Sequence, residues 1–168
     1  EEVFGAQGTL TVTPHSVRLN GYHIMGARYL VNRTAAALST TADSLTITAP
    51  AARSLKVWAI RVYGAGAASA YNELLVSRST VGTTPTAITP TPLNPDSAAA
   101  TFTAASAWAT NPTIGVTIHR IGVNSNGAAV QLVFPPGQEI DIPGAGQISF
   151  RSASGTGSVS IEAVVEQV

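Results

Sequence analysis

Apolar and polar residues alternate along much of this chain. GTLTVT sets Leu10 and Val12 on one side, with Thr9, Thr11 and Thr13 on the other. DSLTIT repeats the scheme with Leu45 and Ile47. QISFR points Ile148 and Phe150 inward, and Gln147, Ser149 and Arg151 outward. In SVSIEAVVEQ, Val159, Ile161, Ala163 and Val165 share a face opposite Ser158, Ser160, Glu162 and Glu166. A period of two is the mark of a half-buried strand, because successive side chains leave opposite faces of the pleat.

SLKVWAIRVY breaks the rule. Trp58, Ile60 and Val62 fill one face, and Leu55, Val57 and Ala59 most of the other, as expected of a strand covered on both sides. IGVTIHRIGV and AVQLVF add two more strands, and the alternation in the first slips at His119–Arg120, which predicts a bulge there. Turn-forming residues separate the runs: Asn20–Gly21, Asn124 to Gly127, Pro135 to Gly137, Pro143 to Gly146 and Ser154 to Gly157. Helix is scarce, and the one candidate is a short turn or two over Arg33 to Ala42. The pattern predicts an all-β fold, a single jelly-roll-like β-sandwich of about eight to ten strands.

Between two strands lies VGTTPTAITPTPLNPDSAAATF, with Pro85, Pro90, Pro92 and Pro95 at short intervals. A flexible linker would be rich in Gly and Ser. Proline instead fixes φ and pushes the preceding residue into extended backbone. No composition shift marks a boundary here. The stretch therefore reads as a long, ordered, extended loop (about 81–101) inside one domain spanning residues 1–168, preceded by a short N-terminal arm (about 1–8). It lies either on a neighbouring subunit or on the protein's own sheet.

Charge narrows the function. Only 11% of residues are charged, against about a quarter in ordinary domains. A surface this poor in charge suits a protein covered by neighbours. Nine basic side chains balance nine acidic ones without clustering, which argues against a nucleic-acid partner. There is no Cys, so disulfides and thiolate metal sites are excluded. No apolar run approaches the ~20 residues of a membrane-spanning helix.

Candidate chemistry is thin. His15, His23 and His119 show no ligand spacing. Glu139 and Asp141 share a strand face, where they could hold Ca²⁺ or simply meet solvent. The Gly clusters do not complete a dinucleotide-binding motif, and no nucleophile elbow, P-loop or zinc-protease motif occurs. Asn32 to Thr34 (NRT) is a glycosylation acceptor pattern. Trp58 reads as core. Trp108, in a polar segment flanked by Pro112, can anchor an interface, stack on a sugar or plug the sandwich's own end. The chain is read as non-enzymatic, with no catalytic residue, metal or cofactor.

From about Leu74 to Val168 the chain carries, in order, LLVSRSTVGTTPTAITPTPLNPDSAAATFTA, IHRIGVN and LVFPPGQEIDIPGAGQISFRSASGTGSVSIEAVVEQ. These phrases resemble small all-β virion proteins of tailed bacteriophages. The resemblance implies a β-sandwich or jelly roll on the outer surface of the capsid, a decoration or cement protein. Such proteins are commonly homotrimers that clamp neighbouring copies of the major capsid protein. It assigns no residue-level roles. The expected contacts are the Pro-rich stretch (Pro85, Pro90, Pro92, Pro95), the N-terminal arm around Phe4, and Trp108. Two alternatives stand beside this reading. One is a tail fibre, spike or baseplate module. The other is a carbohydrate-binding sandwich with Trp108 and Tyr71 as stacking residues and Glu139/Asp141 as a Ca²⁺ site.

Overall fold

The structure is a computed structural model that describes residues 26–127, 129–154 and 157–168, together with 18–19 and 22–23. Phe4, Leu10, Val12 and His15 lie outside the described residues. The strands are β1 (Arg18–Leu19), β2 (Tyr22–His23), β3 (Ala27–Ala37), β4 (Leu45–Thr48), β5 (Leu55–Gly64), β6 (Tyr71–Ser79) and β7 (Thr83–Ile88). They continue as β8 (Thr91–Pro92), β9 (Thr103–Thr110), β10 (Ile114–Asn124), β11 (Ala129–Val133), β12 (Ile140–Ile142), β13 (Gln147–Ser154) and β14 (Ser158–Gln167). No helix occurs among the described residues.

Apart from the small β1–β2 pair, the strands form two antiparallel sheets. The β13 sheet has the order β10-β6-β13-β4-β9-β7. The β14 sheet has the order β11-β5-β14-β3-β8, and β12 also pairs with β5. Within this sandwich the pairings are nested: β3 with β14, β4 with β13, β5 with β11 and β12, and β6 with β10. That nesting is the wrap of a jelly roll. The inner faces meet in one apolar core. Leu45, Ile47, Leu74, Val76, Ile148 and Phe150 come from one sheet, and Tyr29, Val31, Leu55, Ile60, Ile161 and Val165 from the other. Burying such side chains against one another is the main favourable term of the fold.

Four local expectations change. The two sheets hold twelve strands, above the eight to ten expected, partly because the Pro-rich stretch itself pairs. β7 and β8 are edge strands, where a residue without an N–H is tolerated. β5 is not apolar on both faces. Its register with β14 jumps from Ala59↔Val164 to Val57↔Val165, so Trp58 is an extra, bulged residue. The bulge re-phases the strand, and Leu55, Val57, Ile60 and Val62 all point inward at 0% exposure. In β10 the register shifts fall between Ile114 and His119, just before the expected place. Finally, Arg33–Ala37 continue β3 instead of turning into helix. The chain turns after it, where the Ser39 hydroxyl accepts from the backbone N–H groups of Thr41 and Ala42 at 3.1 Å each.

Trp58 is therefore half-buried outside the apolar core, not part of it as expected, and the bulge gives it another task. Its indole N–H donates to Glu166 Oε2, and the Arg28 guanidinium lies 4.1 Å from its ring centroid. Glu166 is 1% exposed and also accepts from the Gly26 N–H at 2.6 Å. A buried carboxylate needs such donors. Trp58→Phe keeps most of the packing but removes one donor from Glu166. It is expected to cost about 1–3 kcal/mol in urea unfolding, and an unchanged midpoint would show that this bond adds nothing.

Candidate functional site

The Pro-rich stretch begins where two strands leave the β13 sheet together. Ser79 of β6 faces Ile114 of β10. The Thr80 N–H donates to the Thr113 carbonyl at 3.0 Å, and Thr83 of β7 faces Thr110 of β9. The β6/β10 pair thus runs on into the β7/β9 pair as one two-stranded ribbon. β9 and β10 stand four places apart in the sheet, roughly 19 Å at the usual strand spacing. Three residues link them, and they reach only about 13 Å. A flat sheet cannot satisfy both distances. β9 pairs with β4 only through Thr103–Ala105, and beyond that point the ribbon curls back over the outer face of its own sheet. Two bonds mark its path: Arg151 Nη2 donates to the Pro112 carbonyl at 3.0 Å, and Gln147 Nε2 to the Thr80 carbonyl at 3.2 Å.

The surface under this ribbon is polar and buried. Thr46, Ser77, Gln147 and Ser149 point outward from the sheet, yet their exposures are 0–2%. Neighbouring groups satisfy them: the Ser77 and Thr117 hydroxyls lie 3.1 Å apart, and Thr46 Oγ1 donates to the Ala105 carbonyl at 3.5 Å. Thr48 Oγ1 donates to Gln147 Oε1 at 2.7 Å, Gln147 Nε2 donates to Ser79 Oγ at 2.9 Å, and the Ser79 and Ser149 hydroxyls lie 2.7 Å apart. At one margin Arg151 Nε donates to Asp43 Oδ1 at 2.8 Å. Asp43 is 4% exposed. Burial raises its pKa above the usual carboxylate value, opposed by the hydrogen bond and charge of Arg151 and by a hydrogen bond from Ser149. Sequence reasoning placed Arg151 outward but gave no sign of Asp43, which is 108 residues away.

The expected contact residues divide over this geometry. Pro85 is exposed on β7 and faces Trp108 of β9 across the ribbon. Trp108 is half-buried, with its indole nitrogen buried. Pro92 is half-buried in β8, opposite Tyr29 of β3, at the edge of the other sheet. Pro90 is half-buried just before it. Pro95 is exposed in a turn where Asn94 Oδ1 accepts from the Asp96 N–H at 3.1 Å. The stretch therefore spans the two sheets along one side of the sandwich. Ile88 within it and Phe102 at its end pack against the core, and the Phe102 ring stands edge-on to Tyr29 with centroids 5.4 Å apart.

The other candidates are scattered. Tyr71 opens β6 at 69% exposure, its hydroxyl over Gly122 of β10, whereas Trp108 packs beside Gly82, past the far end of β6. Glu139 and Asp141 flank Lys56. Glu139 lies 3.8 Å from its ammonium, and Asp141 pairs with it in register. His119 packs against Phe134, with ring centroids 5.2 Å apart. Among the described residues no three His, Cys, Asp or Glu side chains gather where a metal could sit. Asn32 of the NRT pattern is exposed on β3. Compared with protein-family models, curated proteins and solved structures, the chain shows no match.

The raised pKa of Asp43 fixes a sign. The folded state holds this proton more tightly than the unfolded chain, so the contribution of Asp43 is greatest at low pH and is lost as pH rises through the raised value. Asp43→Asn has no such titration. The unfolding free energy of the wild type minus that of Asp43→Asn is expected to fall from about pH 4 to about pH 7. Chemical denaturation across this range checks it, and a difference that rises with pH contradicts the assignment.

Proposed function

We propose that this protein is a non-enzymatic structural component of a bacteriophage virion. In this reading it is a decoration or cement protein on the outer capsid surface, where it bridges neighbouring capsid subunits as a homotrimer. The observation that carries the reading is the ribbon. Its upper surface, Thr83 to Ala87, is exposed and uncharged. It holds small Thr and Ala side chains around Pro85, on a two-stranded support. Such a surface can be covered by another protein at little desolvation cost, because it contains no charge to strip of water. The low overall charge and the virion-like phrases from Leu74 to Val168 support the same reading. Assembly contacts of this kind add stability to a shell by mass action.

The purified protein is expected to have the mass of a trimer and to bind phage shells lacking it in stoichiometric amounts. Pro85→Glu, which puts a charge on the ribbon, should weaken that binding roughly tenfold or more without moving the unfolding midpoint. Deleting Val3 to Ala6 should weaken attachment with the fold intact. A monomer indifferent to shells would overturn the proposal and direct the search to phage tails.

A further inference from the structure

We propose that Asn126–Gly127, in the turn between β10 and β11, is a self-modifying site at which the asparagine loses ammonia and becomes aspartate or isoaspartate. This inference is independent of the virion reading. The reaction needs only water. Base removes the Gly127 amide proton, and the nitrogen attacks Asn126 Cγ. Ammonia leaves with Nδ2 as a five-membered succinimide closes. Water then opens the ring at either carbonyl, so one water is taken up for each ammonia released.

Three observations single out this pair. First, the nucleophile is unengaged. The Gly127 N–H has no hydrogen-bond partner among the described residues, and both Asn126 and Gly127 are exposed. Second, the approach is open. Nothing lies within 4 Å of the place a Gly127 Cβ would occupy, and the φ of 74° suits glycine there. Third, the other described asparagines lack these conditions. Asn94 and Asn111 precede Pro95 and Pro112, which carry no N–H to attack with. Asn72 is 0% exposed. Asn32 and Asn124 precede Arg33 and Ser125, whose side chains crowd the attacking nitrogen. Asn20–Gly21 lies outside the described residues. One contact opposes the step, because Asn126 Nδ2 donates to the Ala67 carbonyl at 3.0 Å. Giving up one exposed hydrogen bond slows the reaction roughly fivefold, and rotation of the turn adds to this.

The same bond is where the product acts. Side chains of β6 and of the β10–β11 turn fasten the loop before β6. Asn72 Nδ2 donates to the Ala70 carbonyl at 2.9 Å, Asn124 Nδ2 to Ser69 Oγ at 2.8 Å, and Ser125 Oγ to the Ala68 carbonyl at 2.9 Å. After conversion a carboxylate without a proton to donate faces the Ala67 carbonyl. The formal net charge of the chain falls from 0 by one unit. The loop is loosened at Ala67 while the sandwich core is untouched.

Peptide mapping by mass spectrometry tests this on the folded protein held at mildly alkaline pH, beside the same chain unfolded in urea. The Asn126 peptide should convert ahead of every other described asparagine, at a rate within about a hundredfold of the unfolded one. Gly127→Ala, which crowds the nitrogen, should slow it about tenfold or more. Asn126→Gln, whose ring would have six members, should stay intact over the same time. Asn126→Asp should shift the amide resonances of residues 65–70 and leave those of β3 and β14 in place. The inference is overturned if the folded protein keeps Asn126 while the unfolded chain has converted about a hundred times over. It is equally overturned if Gly127→Ala converts as fast as the wild type, or if Asn126→Asp leaves residues 65–70 unmoved.

Discussion

The structure turns on one geometric constraint. β9 and β10 lie four places apart in one sheet, yet three residues join them. No flat arrangement reconciles these facts. The chain meets the constraint by folding the β7/β9 ribbon over the sheet that it extends. Much else follows from that fold-back. It buries the outward residues of β4, β6 and β13, and it turns Thr83 to Ala87 toward solvent. It also brings the Pro112 carbonyl to Arg151.

The β13 sheet therefore faces two interiors. One is the apolar core shared with the β14 sheet, where shape and dispersion dominate. The other is a thin polar layer in which Ser, Thr and Gln side chains bond to one another and to the ribbon backbone. The first resists opening because exposing it costs hydrophobic free energy. The second is specific but easily hydrated. Asp43 stands at its margin in a state that burial disfavours, held by the cation that also ties down Pro112. The β14 sheet has its own buried acid, Glu166, supported by Trp58, Arg28 and Gly26. Each sheet thus fixes a chain segment by pairing a buried carboxylate with an arginine.

Alternation in the sequence predicts the inward residues of β4, β13 and β14. Leu45, Ile47, Ile148, Phe150, Val159, Ile161, Ala163 and Val165 are all buried as their period requires. It fails where a single residue changes the phase, as at Trp58, because a bulge leaves no local trace beyond an apolar residue on the wrong face. It also gives the direction of Gln147 and Ser149 without their burial. Periodicity reports which side of a sheet a residue faces, not what lies above that side. The Asp43–Arg151 pair is invisible for a related reason, since it forms only after the loop before β4 and the middle of β13 are brought together. Pro85 and Pro92 were legible as extended backbone, whereas Pro95 sits in a turn, and pairing by β7 and β8 depends on edge positions that only the topology creates.

The assembly reading depends on the ribbon lying on its own sheet. Nuclear Overhauser contacts in the isolated protein test that most directly. The account predicts cross-peaks between the Arg151 side chain and Pro112, together with those joining Ser149 to Ser77 across the β13–β6 ladder. If the ladder contacts appear and the Arg151–Pro112 contacts do not, the ribbon does not cover its sheet and the account is wrong.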